Sequence, residues 1–114
     1  MSEITTRYEN DIAIIDVGSR KLIGEKEDYE LWTRVEEVLD GGCRKIILDL
    51  SGLKWSNSTG IGIMISAWTM AQKEKAELVV VMSSRRLEDI FKVTNLSMIM
   101  RTFESVDEAV KGMS

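Results

Sequence analysis

Two short β-branched runs most constrain how this chain can fold. They read KIILDL from residue 45 and LVVVM from residue 78. Apolar runs of this length without polar alternation are typical of central strands that are covered on both faces. The segment between them carries an apolar stripe at helical spacing, so the strands are joined by a crossover and run parallel. The sequence therefore predicts a mostly parallel sheet with helices packed against it.

The remaining segments continue this alternation of strands and helices. EITTRYE and DIAIIDV, separated by the turn residues Asn10 and Asp11, predict an N-terminal hairpin. Residues 18–24 are predicted to form a loop, and residues 26–40 a helix. A further helix is predicted after Ser83 or Ser84, MIMRTF is predicted to be an edge strand, and the capping box SVDE opens a last helix. The predicted order is ββαβαβαβα, in a single α/β domain over residues 1–114.

Composition excludes several functional classes. The chain has no histidine and one cysteine, which argues against a Ser-His-Asp triad and against the usual zinc sites. We therefore predict a protein that is not an enzyme and has no cofactor. A net charge of −4 does not favour binding to nucleic acid or to an anionic membrane. The sequence has no recognisable signal peptide or membrane-length apolar stretch, so a cytoplasmic location is expected.

The stretch KWSNSTGIGIM, residues 54–64, contains the candidate site. Four small polar residues, Ser56, Asn57, Ser58 and Thr59, precede Gly60 between the first central strand and the helix that follows. Ligands and partners usually engage an open α/β sheet at this edge. Ser58 or Thr59 is predicted at or near the helix N-cap, where free N–H groups and the helix dipole favour negative charge. The stretch is either an ordinary cap or a site for a phosphate or bound anion.

Two pairs of basic residues are predicted near this stretch. Arg20 and Lys21 follow the second strand, and Arg85 and Arg86 begin the third predicted helix. The topology brings both pairs to the same edge of the sheet as Thr59. The predicted partner-binding surface comprises these four side chains and the residues of the polar stretch, Ser56, Asn57, Ser58, Thr59 and Gly60. Simple solvation is the alternative for Arg85 and Arg86.

Other reactive or unusual side chains have simpler interpretations. Cys43 lacks a histidine partner and is predicted to be an inert thiol. Asp16 and Asp49 lie near strand ends, where paired carboxylates could serve a hydrolase, but we expect Asp16 to be exposed and Asp49 to bond its own loop. Four methionines are predicted to fill the core: Met64, Met70, Met98 and Met100.

Two segments together resemble a known family. IILDLSGLKW leads into NSTGIG, and the C-terminal part reads IFKVTNLSMIMRTFESVDEAV. These resemble the STAS domain of bacterial anti-sigma factor antagonists, in which a strand like ILDLSGL leads through an aromatic residue to Asp-Ser-Ser/Thr-Gly-hydrophobic-Gly. The resemblance covers nearly the whole chain, is specific from about Lys45 onward and implies a STAS-like α/β fold.

This resemblance implies a regulatory binding protein. The unphosphorylated form would bind an anti-sigma factor, itself a Ser/Thr kinase, and so free the sigma factor. Phosphorylation by the kinase would end the interaction, and a PP2C-type phosphatase would restore it. Thr59 matches the family's phosphoacceptor, Ser58 the neighbouring hydroxyl and second choice, and Gly60 the glycine at the helix start. No nucleic acid, membrane or metal is implied, and the oligomeric state is left open.

Two departures from the family pattern leave alternatives open. The family aspartate before the two hydroxyls is Asn57 here, and GSRK stands where the family has Gly-x-Leu-Asp. One alternative is a degenerate STAS scaffold that docks partners without phosphorylation. A less favoured alternative is a small enzyme or an anion- or nucleotide-binding domain that uses the helix start at Ser58 and Thr59.

Overall fold

A computed structural model describes residues 3–113 and confirms the predicted α/β architecture. The strands in this part of the chain are β1 (Thr5–Glu9), β2 (Ile12–Asp16), β3 (Lys21–Leu22), β4 (Lys45–Asp49), β5 (Trp55–Ser56), β6 (Glu77–Val81) and β7 (Thr102–Phe103). One sheet has the order β1-β2-β4-β6-β7, in which β1 and β2 are antiparallel and every other neighbouring pair is parallel. The short strands β3 and β5 form a separate parallel pair.

Helices cover both faces of the five-stranded sheet. They are α1 (Glu30–Asp40), α2 (Ser58–Lys73), α3 (Arg85–Val93) and α4 (Val106–Met113). The larger core lies under α1, α2 and α3, and the smaller core, on the opposite face, is closed by Ala109 and Met113 of α4. The β-branched side chains of β4 and β6 therefore divide between two apolar layers, which explains why these strands lack polar alternation.

The backbone conformation confirms the predicted turn, and local hydrogen bonds confirm two of the predicted caps. Asn10 adopts a positive φ of 57° in the hairpin turn between β1 and β2. Ser84 caps α3, since its Oγ accepts a hydrogen bond from the Leu87 N–H at 3.4 Å. The Oγ of Ser105 accepts from the Glu108 N–H at 3.1 Å, which is one half of the predicted capping box.

Three predictions of secondary structure were wrong in detail. The predicted loop over residues 18–24 contains β3, whose partner is Trp55–Ser56. The first turn of the helix predicted over residues 26–40 is a 3-10 turn, Lys26–Tyr29. Of MIMRTF, Thr102–Phe103 alone is a strand, because Asn95 adopts φ 61° and the chain enters a 3-10 turn at Leu96–Met98.

That 3-10 turn also corrects the prediction for one methionine. Met64 and Met100 are buried and Met70 is partly buried, as core filling requires, but the Met98 side chain is 81% exposed. Leu96 takes the core position in the turn, and Met98, two residues further on, lies outside.

Candidate functional site

The candidate site lies where three loops leave the sheet at the same edge. Strands β2, β4 and β6 are parallel neighbours, so their carboxyl ends meet at this edge. The loop after β2 contains β3, the loop after β4 contains β5 and leads into α2, and the loop after β6 leads into α3. The structure thus confirms the predicted position of the polar stretch at the edge of the sheet.

Asn57 is the N-cap of α2, and Ser58 and Thr59, predicted at or near the cap, are the first two residues of the helix. The Asn57 backbone is extended, and its Oδ1 accepts a hydrogen bond from the Gly60 N–H at 2.9 Å. Ser58 and Thr59 lie in the first turn of the helix, and both side chains are exposed. Because the amide of Asn57 performs the capping, the two hydroxyls are not required for it.

The same amide also ties α2 to the loop after β3. The Nδ2 of Asn57 donates a hydrogen bond to the carbonyl oxygen of Ile23 at 3.2 Å. An aspartate could cap the helix equally well, but it could not donate to this carbonyl, and its charge would face the carbonyl oxygen. Asparagine at position 57 therefore has a structural role, the hydrogen bond to the Ile23 carbonyl, that an aspartate could not fill.

Ser56 and Gly60 were predicted to belong to the partner-binding surface, but both residues are buried beneath it. The Oγ of Ser56 donates to the Leu22 carbonyl at 2.8 Å, and the residue is buried. A Cβ at Gly60 would collide with the same Leu22 carbonyl oxygen, so glycine is what allows β3 to pass directly beside α2. Both residues shape the site from below and do not present side chains to a partner.

The loop after β3 packs against the predicted phosphoacceptor. Gly24 has a φ of +103°, and a Cβ at this position would lie 2.6 Å from Cγ2 of Thr59. Both the backbone conformation and the available space therefore require glycine. The methyl group of Thr59 contacts the loop, while its side chain as a whole remains exposed.

A buried carboxylate holds this loop in place. Oδ2 of Asp28 accepts hydrogen bonds from the backbone N–H groups of Ile23, Gly24 and Glu25 at 2.9–3.0 Å. Oδ1 pairs with Nη1 of Arg20 at 3.1 Å. Burial acts to raise the pKa of Asp28, but the three backbone hydrogen bonds and the Arg20 guanidinium outweigh it, and the pKa is lowered. The ionised form of Asp28 thus fixes the loop against the start of α2.

The two predicted basic residues of the β3 segment have different environments. The Arg20 side chain is 12% exposed, and its Nε donates to the Val17 carbonyl in addition to the pairing with Asp28. Its predicted contact with a partner is therefore replaced by a structural role. Lys21 is exposed and lies opposite Trp55 in the β3–β5 pair. Lys21 remains a candidate for partner contact.

Of the other basic pair, the structure brings Arg86 next to the residue that precedes the polar stretch. Arg85 and Arg86 are both exposed in the first turn of α3. The Arg86 guanidinium lies over the ring of Trp55, with its Cζ 5.2 Å from the ring centroid. Trp55 immediately precedes Ser56, so Arg86 lies beside the segment that leads into the polar stretch.

The remaining candidate residues have structural roles. Oδ1 of Asp16 accepts from the Gly18 N–H at 2.8 Å, and Oδ1 of Asp49 accepts from the N–H and the hydroxyl of Ser51 at 3.0 and 2.7 Å. Asp49 is loop-bonded as predicted, whereas Asp16 is half-buried and not exposed. Cys43 is half-buried and its thiol contacts backbone carbonyls. Residues 3–113 contain no cluster of three or more His, Cys, Asp or Glu that could hold a metal ion.

Sequence reasoning missed three residues of the site. Asp28 lies in the charged run EKEDYE, residues 25–30, in which nothing marks one carboxylate as buried. Gly24 has no sequence signal for its contact with Thr59, which lies 35 positions away in the chain. Trp55 did offer a signal, because a tryptophan between a lysine and a serine at a strand end is not part of an apolar run.

Comparisons with known proteins agree with this architecture. A family model described as the STAS domain matches residues 10–109. A Thermotoga neapolitana protein, whose name designates it a candidate anti-sigma factor antagonist, is 23% identical over 101 residues, which cover 89% of this chain and 88% of that protein. Among the helices within residues 3–113, none is both long enough and apolar enough to cross a membrane.

Solved structures share the fold over almost the full chain. An anti-sigma factor antagonist from Mycobacterium paratuberculosis superposes with a TM-score of 0.83 at 16% identity, covering 98% of this chain and 93% of the other. The Bacillus cell fate determinant SpoIIAA in its phosphorylated form superposes with a TM-score of 0.72 at 14% identity, covering 97% and 99%. At such low identities these structures establish the common fold and no more.

Proposed function

The chain belongs to the STAS domain family, and on that premise we propose that it is an anti-sigma factor antagonist of the bacterial cytoplasm. Its unphosphorylated form binds an anti-sigma factor that is a Ser/Thr kinase, and the sigma factor is released. The kinase phosphorylates Thr59 and ends the interaction, and a PP2C-type phosphatase restores it. The observation that carries this proposal is an exposed Thr59 in the first turn of α2, behind a cap already supplied by Asn57.

The contact with Gly24 favours Thr59 over Ser58 as the phosphoacceptor. A β-branched side chain has few rotamers, and the methyl group of Thr59 is held against the Gly24 backbone. The hydroxyl therefore has a restricted set of directions, which lowers the entropy lost when a kinase binds it. Ser58 is also exposed, but it lacks the methyl group and the β-branching that restrict Thr59, and it remains the second choice.

Phosphorylation at this position accounts for loss of binding. The γ-phosphoryl group of ATP bonds to Oγ1 of Thr59, the hydroxyl proton is released and ADP leaves. The product gains a charge of about −1.5 to −2 at neutral pH. The positive end of the α2 dipole tolerates this charge in the free protein. A docked partner would have to desolvate the phosphate, and any acidic group of the partner would repel it.

A scaffold that binds without phosphorylation is the second candidate function. The observation that favours it is the hydrogen bond from Asn57 Nδ2 to the Ile23 carbonyl. If a kinase needs a carboxylate at position 57 to position its substrate, this chain offers an amide whose two ends are both engaged. The protein would then dock its partner constitutively.

Phosphorylation assays separate the two candidates. The full chain is incubated with ATP and the anti-sigma kinase of the same genome, and the product is analysed by intact mass and peptide mapping. We expect one phosphate on wild type and on Ser58→Ala, and none on Thr59→Ala. Asn57→Asp is expected to react faster if the missing charge limits transfer. A kinase that binds the chain but leaves both hydroxyls unmodified would contradict the phosphoswitch and support the scaffold.

Binding assays test the consequence of the modification. Thr59→Glu is expected to weaken kinase binding by about 10-fold or more, because a buried unpaired charge at an interface is costly. Thr59→Val is the matched control, since it keeps the methyl contact with Gly24 and removes the hydroxyl. Calorimetry should give Thr59→Val a Kd close to that of wild type. Equal binding by Thr59→Glu would exclude a charge mechanism at this position.

A further inference from the structure

The two edges of the five-stranded sheet differ in how much strand they offer. At one edge, β7 has two residues, and the Arg101 side chain that precedes it pairs with Glu77 of β6 at 3.1 Å. At the other edge, β1 has five residues, each opposite one residue of β2. A regular edge strand of this length can pair with a further strand unless it is covered. β1 is therefore the edge at which another strand can be added.

The side chains at the end of β1 are exposed on both faces of the sheet. Tyr8 lies opposite Ala13 of the larger core, so it is on the α1 side, where it is 57% exposed. Arg7 lies opposite Ile14 of the smaller core, and Arg7 and Glu9 share the α4 side, where both are exposed. On that side α4 contacts β4, β6 and β7, which form the other half of the sheet. Solvent therefore reaches this part of β1 from both faces.

The hairpin turn determines which backbone groups of β1 face outward. The two-residue turn at positions 10 and 11 makes Glu9 and Ile12 a hydrogen-bonded pair of the β1–β2 ladder. Hydrogen-bonded and non-hydrogen-bonded pairs alternate along an antiparallel ladder, so Thr6 and Tyr8 do not bond to β2. Their N–H and C=O groups point away from β2, and within residues 3–113 no strand pairs with them.

Charge favours one register for pairing between β1 and a second copy of itself. Because outward-facing residues must meet each other, a two-fold antiparallel pair can be centred on Thr6, Arg7 or Tyr8. The pair centred on Thr6 places Glu9 opposite Glu3, and like charges destabilise it. The pair centred on Arg7 places two copies of Arg7 opposite each other, with the same result. The pair centred on Tyr8 places Arg7 opposite Glu9 on both sides of the axis, so opposite charges meet twice.

We propose that β1 binds β1 of a second copy in the register centred on Tyr8, which joins the two five-stranded sheets into one. Backbone hydrogen bonds between the two copies of Tyr8 lie at the two-fold axis, and an Arg7–Glu9 pair lies on either side of them. Within residues 3–113, neither Arg7 nor Glu9 forms an ion pair in its own chain, so both charges are available to the second copy. The inference is independent of the proposed function, because it uses neither the polar stretch nor a partner of that stretch.

The contact is small, so the dimer is expected to be weak. Main-chain hydrogen bonds supply the affinity of such added strands, and the cross-strand pairs supply the register. Pairing over residues 6–10 buries less than the standard protein interface of about 1,600 Å². Interfaces of this smaller size belong to transient complexes, and we expect a Kd of about 10–100 µM.

The proposed dimer leaves both candidate sites open. β1 is antiparallel to β2 within each copy and to β1 of the other copy, so the parallel strands of the two copies run in opposite directions. Their carboxyl ends, and with them the two copies of Thr59, lie at opposite edges of the joined sheet. A second copy therefore does not compete with a partner for the polar stretch.

Charge reversal tests the register through sedimentation velocity of the full chain. We expect wild type to dimerise with the stated Kd, and Arg7→Glu and Glu9→Arg each to raise the Kd about 10-fold or more. An equal mixture of the two variants should associate about as tightly as wild type. In the mixture, the new carboxylate at position 7 of one variant faces the new guanidinium at position 9 of the other. This rescue also shows that both variants are folded.

The control for these variants is Arg85→Glu, which makes the same change of charge in the first turn of α3, the helix after β6. Its Kd for self-association should stay within about 2-fold of wild type. A wild-type chain that is still monomeric at about 1 mM would overturn the proposal. So would a mixture of the edge variants that associates no better than its components.

Cysteine cross-linking tests the same register by distance. In a Cys43→Ser background, Arg7→Cys is mixed with Glu9→Cys in a buffer of oxidised glutathione. The Cα atoms of a non-hydrogen-bonded antiparallel pair are about 4.5 Å apart, which suits a disulfide. The mixture should give a disulfide-linked dimer, and each variant alone about 10-fold less of it. Equal linkage in either variant alone, or no linkage in any sample, would contradict the register centred on Tyr8.

Discussion

The helices α2 and α3 begin at the same edge of the sheet, but their first turns are built differently. The start of α2 is capped by Asn57 at 2.9 Å and is enclosed by the backbone of Leu22 and by Gly24. The start of α3 has a cap at 3.4 Å and two exposed arginines at its unfavourable dipole end. The first arrangement packs Thr59 against a fixed loop, and the second places two exposed cations at an unfavourable dipole end, in the same turn as Glu88. Under the proposed function the start of α2 is where modification occurs, and the start of α3 remains a candidate for partner contact.

The tight enclosure of α2 predicts the largest effect. Gly60→Ala should destabilise the protein by about 3 kcal/mol, because its Cβ collides with the Leu22 carbonyl in a packed region. Gly62→Ala is the matched control on the same helix, where nothing lies within 4 Å of the added Cβ. The control should be stabilised by about 0.5–1 kcal/mol through helix propensity. Urea unfolding measures both free energies, and a Gly60→Ala variant as stable as Gly62→Ala would refute the enclosure.

Loss of the buried carboxylate should have the next largest effect. Asp28→Asn removes the negative charge that faces the Arg20 guanidinium and weakens the three backbone hydrogen bonds that hold the loop. We expect a loss of about 2 kcal/mol in the free energy of unfolding. Glu27→Gln, an exposed change in the same turn, is the control and should cost less than about 0.5 kcal/mol. A similar loss in both variants would show that the turn, not the buried carboxylate, is what matters.

The contribution of Asp28 should also depend on pH. Folding lowers the pKa of this carboxyl below its ordinary value of 3.8, so on acidification the unfolded chain takes up the proton first. The stabilisation is therefore complete above about pH 4 and is lost as the pH falls through the folded pKa. The difference in unfolding free energy between wild type and Asp28→Asn should be constant near neutral pH and shrink below about pH 4. A difference that grew on acidification would contradict the assignment.

Comparison of the two caps sharpens the contrast between the helices. Asn57→Ala removes both the cap of α2 and the link to the Ile23 carbonyl, and should cost about 1–2 kcal/mol. Ser84→Ala removes one long hydrogen bond and should cost about 0.5 kcal/mol. Thermal or urea unfolding of both variants measures the difference. A larger cost for Ser84→Ala would reverse the proposed ranking of the two termini.

Reversal of charge at α3 should have the smallest effect and the opposite sign. Arg85→Glu replaces an unfavourable charge in the first turn with a favourable one and should stabilise the protein by about 0.5 kcal/mol at low salt. Lys92→Glu, in the last turn of the same helix, is expected to destabilise it by a similar amount. Both effects should fade in high salt. Destabilisation by Arg85→Glu would indicate that this arginine has a structural role.

Much of the fold was predictable from the sequence, because the spacing of apolar residues indicates which faces of a strand or helix are buried. The apolar runs of β4 and β6 predicted central strands, and Asn10 with Asp11 predicted the hairpin turn. The two-residue strands β3 and β5 were missed, because strands so short leave no periodic pattern. The same reasoning explains the error at MIMRTF, where the left-handed conformation of Asn95 diverts an otherwise strand-like run.

The sequence located the candidate site along the chain but did not show which of its residues are accessible. The polar stretch and the two basic pairs were placed at the correct edge, because parallel strands bring their carboxyl ends together. Which of these residues are accessible could not be predicted, since Ser56, Gly60 and Arg20 differ from their exposed neighbours only in contacts made across the fold. Such contacts depend on residues more than 30 positions apart, except for the Arg20–Asp28 pair, which joins the two ends of one loop.

The sequence alone determined the class of fold, the family resemblance and the position of the candidate site along the chain, because these depend on local order and residue identity. Tertiary structure decided the role of each residue. It made Asn57 a cap and a tether, buried Asp28 beneath its loop, and placed Arg86 over Trp55. Burial, hydrogen-bond partners and the sign of the local surface charge arise only where distant segments meet. They decide which of several similar polar side chains is left available to a partner.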